Sequence, residues 1–389
     1  MDGWRHCHVC DADNRFFSDP SLTSAKDIIP QPARTTRLMK QFRNTVIRAG
    51  LEALYLSGAH VLLRPILSGV GAIFMLHHVR PPREGDFQPN HHLEVTPDFL
   101  RAMLAHLRAR GIDLVTMDEV HRRLIDRDFE RRFACFTLDD GYRDNRDYAF
   151  PVLREFDAPS TLFVASDFAD GRGLLWWIAI EKVIAKACSI EVTIAGVAMR
   201  LDTTTAADKQ AAFDRLHDWL RSLPDDDARR EVQALCARHG VDAAAICRDF
   251  CMSWNELKEC AVDGLVTIGA HSITHCNLAH QSKAAASEEL TVSRTRIEAA
   301  LQRPVVHLAY PYGDRNAAGA REFALAHAAG YKTAVTTRPG MVFPESGRHL
   351  TALPRVSLNG NYQDTRILPV LTSGAATAMW NGFRRVDAA

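Results

Sequence analysis

The sequence has no charge bias: over 389 residues, 47 Lys and Arg offset 47 Asp and Glu. Nothing in that balance favours a polyphosphate backbone or an anionic membrane, which select basic stripes, so a neutral partner is expected and nucleic acid is not. It also lacks a long uninterrupted apolar run. The most apolar stretch, residues 51–75, is broken by Glu52, His60, Arg64 and Pro65. That argues against a transmembrane helix and leaves open peripheral contact by a helix lying on a membrane surface. No apolar segment follows a basic start in residues 1–30, so no signal peptide is expected. The nine cysteines are odd in number and scattered. A secreted disulfide framework is therefore not expected, and reduced thiols in a cytoplasmic setting are. Cys7 and Cys10, flanked by His6 and His8, have no second ligand pair at zinc-finger spacing and read as part of a tail.

What is present is an alternation of strands and helices. Residues 1–38, with Pro20, Pro30 and Pro32 and no sustained period, are expected to be a flexible N-terminal extension. Residues 39–69 place Val46, Ile47, Leu51, Leu54 and Leu63 at helical spacing, with a break near Gly58, and should pack on the core. An apolar run at 70–76 reads as a buried strand ending in His77 and His78. Thr96 and Pro97 cap a helix carrying Phe99, Met103, Leu104 and Leu107. Further strands are expected at 113–115, 133–138, 160–165, 265–269, 305–309, 332–336 and 353–357, with helices between them. Residues 171–251 break the rhythm. They are mainly helical in pattern, with a hairpin near Gly196, and read as an inserted subdomain whose Trp176 and Trp177 anchor it or stack on a sugar. Residues 361–389 read as a C-terminal tail without recognisable chemistry.

Functional side chains collect at the strand ends. The strand at 133–138 runs into Asp139, Asp140 and Gly141; the one at 265–269 leads to His271 and His275; the one at 305–309 leads to Tyr312. In a parallel sheet or barrel, residues just past the strand C-termini converge on one face. Two adjacent carboxylates repel each other in a low dielectric unless a cation or a proton lies between them. An HxxxH pair brings two imidazoles within reach of one ion, and one carboxylate completes a set that leaves a position open for water, as in hydrolytic zinc sites. The remaining carboxylate is then available to deprotonate that water.

These residues resemble the polysaccharide deacetylases of the NodB homology type, carbohydrate esterase family 4, over residues 70–360 apart from the insertion. Thr137 Leu138 Asp139 Asp140 Gly141 is similar to the first motif of the family, His271 Ser272 Ile273 Thr274 His275 to the second, and Tyr310 Pro311 Tyr312 Gly313 to the third. The resemblance implies a distorted parallel (β/α) barrel with a mainly helical insertion. It implies Asp139 as the catalytic base and Asp140, His271 and His275 as ligands of a divalent metal, zinc being expected. Tyr312 would contribute a backbone N–H to an oxyanion hole.

Two departures stand out. Ala309 occupies the position where many members carry the arginine that partners the base, and Arg355 is the expected substitute. The late motif with a general-acid histidine is not recognisable, which leaves His78 or His349 to protonate the leaving amine. The expected activity is removal of N-acetyl groups from an N-acetylated carbohydrate, an N-acetylglucosamine-containing oligo- or polysaccharide such as a chitooligosaccharide. The alternatives are a related amidase or deformylase acting on a small C–N substrate, and a non-catalytic sugar-binding homologue, against which the intact Asp139 argues.

Overall fold

The computed structural model describes residues 32–388; the Cys7–Cys10 pair lies outside the described residues. Helix α1 (Pro32–Leu56) begins inside the stretch expected to be an extension, and α2 (Ala59–Leu67) follows it across a break bent by 95°. Next come β1 (Gly71–Leu76), two short strands β2 (His78–Val79) and β3 (Glu94–Val95), and α3 (Pro97–Ala109). Thr96 accepts from the Phe99 N–H at 3.2 Å ahead of Pro97, the cap its sequence requires. The alternation continues with β4 (Asp113–Leu114), α4 (Met117–Asp126), β5 (Phe133–Leu138), α5 (Phe150–Glu155), β6 (Ser160–Val164) and the short α6 (Ser166–Ala169).

The insertion comprises α7 (Trp176–Lys186), the hairpin β7 (Ser189–Ile194) and β8 (Val197–Asp202), then α8 (Ala206–Ser222), α9 (Asp225–Arg238) and α10 (Ala243–Phe250). It has a core of its own, built from residues such as Ile180, Val183, Phe213, Leu216 and Leu235. Buried polar pairs dock it on the barrel: Glu181 accepts from Arg83 and from Asn90, each at 2.7 Å. The alternation then resumes with α11 (Trp254–Val262), β9 (Val266–Ala270), α12 (Lys283–Leu301), β10 (His307–Ala309), α13 (Ala320–Ala328), β11 (Thr333–Pro339) and β12 (Leu353–Ser357).

Seven parallel strands close a barrel in the order β1, β12, β11, β10, β9, β6, β5, with β5 pairing back onto β1 and β4 attached outside β5. This is the expected distorted parallel (β/α) barrel. The distortion is visible between β11 and β12, where the register shifts between Val335 and Pro339. Alternation along each strand divides two cores. Phe74, Leu76, Phe136 and Leu138 face the surrounding helices, whereas Ile73, Phe133, Cys135, Phe163, Ala309 and Leu353 fill the barrel. Gly269 belongs to the inward series, where a Cβ would sit 2.5 Å from the Phe163 ring.

The C-terminal segment corrects the expectation of a tail. Residues 368–380 form α14 (Leu368–Ser373) and α15 (Ala375–Trp380), which bury Leu368, Val370, Leu371 and Ala376. Between them Gly374 has φ 79° and lies so close to the Leu67 carbonyl that a Cβ there would come within 2.0 Å of its oxygen. The apolar spacing of this segment is short, and its helices are held by α1 and α2 rather than by their own length.

Candidate active site

The inward series of β5, Phe133, Cys135 and Thr137, continues to Asp139, which therefore enters the mouth of the barrel at the C-terminal ends of the strands. The matching series on β12 contains Leu353 and Arg355. Because β12 and β5 both flank β1, the Arg355 side chain reaches up the barrel interior to Asp139. It makes two parallel bonds: Nη1 donates to Oδ1 and Nη2 to Oδ2, each at 2.7 Å, between side chains that are 0% and 2% exposed. Nη1 also reaches the Thr137 hydroxyl at 3.1 Å, and Nε donates to the Thr336 carbonyl at 2.8 Å. Burial would raise the Asp139 carboxyl, but the charge and hydrogen bonds of Arg355, together with the nearby His271 and His77, outweigh it and hold the group below its ordinary value.

Asp140 leaves the strand at φ 71°, in the left-handed region, and points away from Arg355 towards two imidazoles. Its Oδ1 lies 3.4 Å from His271 Nε2 and 3.2 Å from His275 Nε2, and the three ligand atoms all fall within 4.8 Å of one another. His271 Nδ1 lies 2.7 Å from the Ala309 carbonyl, an acceptor, so that nitrogen carries the proton and Nε2 presents a lone pair. Asp140 Oδ1 is buried without an aligned hydrogen-bond partner. A carboxylate oxygen and two imidazoles converging with no donor between them suit a divalent cation.

Left-handed backbone recurs around this site: Ser272 (φ 62°), His275 (φ 60°) and Tyr312 (φ 61°) share it with Asp140. Such positions cost about 1–3 kcal/mol each in a non-glycine residue and persist only where neighbours hold them. The hold on the histidine loop is Glu289 of α12, which accepts from the Ile273 and Thr274 N–H groups at 2.8 and 3.0 Å and from the Thr274 hydroxyl at 2.9 Å. Ser272 Oγ accepts from the His275 N–H at 3.0 Å.

Tyr312 is fastened on both sides. Its carbonyl accepts from Thr337 Oγ1 at 2.6 Å, and its hydroxyl accepts from Trp176 Nε1 at 2.9 Å. The Arg221 guanidinium lies 4.2 Å from the ring centroid. Among the described residues its own N–H has no partner, leaving that donor free at the mouth. Trp177 bonds the Tyr142 hydroxyl at 3.1 Å and packs 5.1 Å from the His275 ring. Both tryptophans thus join the insertion to the site wall.

His78, the expected proton donor, is placed elsewhere. It continues the outward series of β1, stacks on Tyr142 with ring centroids 3.6 Å apart, and its Nδ1 lies 2.7 Å from Asp144 Oδ2. His77 has the inward parity, and its Nε2 lies 3.9 Å from Asp139 Oδ2 with the side chain 20% exposed. Burial lowers its basicity, partly opposed by the charges of Asp139 and Asp140. His349, the other expected donor, is exposed in the loop that returns to the start of β12, at the opposite end of the barrel. Strand parity was the signal that separates His77 from its neighbour. No local pattern marked Glu289 or Arg221.

The family described as polysaccharide deacetylase matches residues 126–334. No curated protein matches the chain in sequence. Among solved structures the chain is similar to the Streptococcus pyogenes deacetylase PplD in complex with acetate, at 18% identity and a TM-score of 0.49 over 75% of this chain and 92% of that one. It is similar to IcaB from Ammonifex degensii, at 16% identity and a TM-score of 0.47 over 74% and 91%. It is also similar to BC0361, a polysaccharide deacetylase from Bacillus cereus, at 18% identity and a TM-score of 0.46 over 74% and 65%.

Proposed function

The chain belongs to the polysaccharide deacetylase family, and from that premise we propose that it removes N-acetyl groups from amino sugars, with N-acetylglucosamine-containing oligo- or polysaccharides such as chitooligosaccharides as substrate. The observation that carries this reading is the division of labour between adjacent carboxylates. Asp139 is neutralised by Arg355, while Asp140 turns to His271 and His275.

Asp140, His271 and His275 would hold a divalent ion, zinc by the character of the donors, which when bound supplies Lewis-acid polarisation of the acetyl carbonyl and acidifies a ligated water. Arg355 keeps Asp139 anionic at neutral pH. Each Asp139 oxygen retains a lone pair beyond its bond to the guanidinium, so the carboxylate can take the proton of the attacking water as the general base. The free N–H of Tyr312 donates to the oxyanion that develops on the acetyl group. His77, the most exposed ionisable group beside Asp139, then gives a proton to the departing amine. Acetate and a free amine are the products. The unpaired thiols, seven among the described residues, suit a reducing compartment, and a cytoplasmic location forms part of the proposal.

Acetate release from N-acetylglucosamine oligosaccharides tests the reading, with and without chelator and for Asp139→Asn. Release that stops in both cases is expected. Release that survives both would sink it, and hydrolysis of small amides alone would move the activity to an amidase or deformylase.

A further inference from the structure

The chain's overall neutrality conceals a local imbalance at the end of the barrel opposite the catalytic mouth. There α2 leads through Ser68 and Gly69 into the start of β1, and α14 and α15 pack against α2. The outer side of this layer exposes Leu56, Val61, Leu62, Ile66, Met379 and Phe383, with Leu62 80% and Leu56 78% exposed. Scattered apolar residues are ordinary on a surface, but a ridge of large ones on adjoining helices marks an interaction face.

The helical segments that form this face carry charge of one sign. Residues 56–70 and 368–386 contain no Asp or Glu, and their charged residues are Arg64, Arg384 and Arg385. Arg132, just before β5, donates to the carbonyls of Ser68 (2.9 Å) and Thr372 (3.3 Å) and so ties the end of α2 to α14. Its Nε and Nη1 are buried without a partner. Burial lowers it to about 10, and the nearby charges of Arg64 and Arg110 add to the effect. Among the described residues neither Arg64 nor Arg110 has a carboxylate partner; Arg385 has Glu345, at 3.9 Å.

We propose that this face docks the enzyme on an anionic lipid bilayer, with α2 lying in the interface and Arg64, Arg110 and Arg384 meeting the headgroups. The apolar ridge supplies insertion, the arginines supply attraction, and Trp380 beside Met379 suits the headgroup level. A second copy of the chain fits less well, since a twofold interface would set the same arginines against each other with no carboxylate on α2, α14 or α15 to offset them. No single described helix is long and apolar enough to cross a membrane, and α2 is bent by 95° from α1. Docked in this way, the mouth with Asp139 faces away from the bilayer.

The test is sedimentation of the full chain with phosphatidylcholine vesicles and with vesicles in which about a third of the lipid is phosphatidylglycerol. The expected result is binding to the anionic vesicles that weakens as salt is raised. It should fall about fivefold in Arg64→Ala and about tenfold or more in Leu62→Glu, while the circular dichroism of both variants stays that of the parent. Equal binding to both vesicle types, absence of binding, or binding unchanged in both variants would overturn the proposal. A dimer seen by light scattering and lost in Leu62→Glu, without vesicle binding, would overturn it in favour of a second copy.

Discussion

Replacing Arg355 by Met removes the charge while keeping much of the buried volume, and it isolates what the guanidinium does for Asp139. The pair is buried and bidentate at 2.7 Å. Removing one partner of such a pair leaves an uncompensated charge at a cost of about 3–5 kcal/mol. Asp139 escapes that cost by taking up a proton. Without the guanidinium, burial acts on the Asp139 carboxyl with its main opponent removed and moves it upward, above the ordinary aspartate range. The sign of the stability change then reverses. In the parent, the depressed Asp139 stabilises the fold above about pH 4, and this is lost as pH falls through its folded value. In Arg355→Met the folded value is raised, so stability is retained in acid and lost as pH rises through that raised value. The gap in melting temperature between the two proteins should therefore be widest near neutrality and shrink towards pH 4. The acidic limb of kcat/KM for acetate release should move to higher pH in the variant than in the parent, both measured with saturating metal. An acidic limb that stays in place, together with a melting gap that does not depend on pH, would refute the assignment of Arg355 as the group that keeps Asp139 charged.

Three further outcomes follow from the same geometry. His77→Gln should lower kcat by about 10²–10⁴-fold with metal content unchanged, whereas His78→Gln, which disturbs only the contacts to Asp144 and Tyr142, should act mainly on melting temperature. Steady-state kinetics and metal analysis of the two proteins separate the roles. Asp140→Asn and His271→Ala should each abolish stoichiometric zinc uptake in equilibrium dialysis, while Asp139→Asn keeps it, because Asp139 is held by Arg355 rather than by the histidines. Glu289→Gln leaves the side chain in place but weakens charge-assisted bonds to the Ile273 and Thr274 N–H groups. It should loosen zinc binding about 10–100-fold, read by competition with a chromogenic chelator.

The sequence by itself determined the strands, their order along the chain, and the chemistry waiting at their ends. Strand geometry puts Asp139 on the same side as Phe133, Cys135 and Thr137, whichever way that side faces, and the punctuation at Thr96, Pro97 and Gly141 reflects local backbone sterics that need no distant partner. The same alternation separates His77 from His78, although only a closed barrel says which parity faces the mouth. Ala309 stands where the family resemblance implies an arginine beside Asp139. An arginine 216 residues away, Arg355, meets Asp139 instead, a contact that depends on β5 and β12 flanking the same strand. Tertiary packing also made helices of residues 368–380, whose short segments are stable because α2 covers them. It gathered Arg64, Arg110 and Arg132 onto one end of a chain whose total charge is zero. Local propensity acts over a few residues, whereas a guanidinium that meets a carboxylate, or repels another guanidinium, depends on which strands and helices the closed barrel brings side by side.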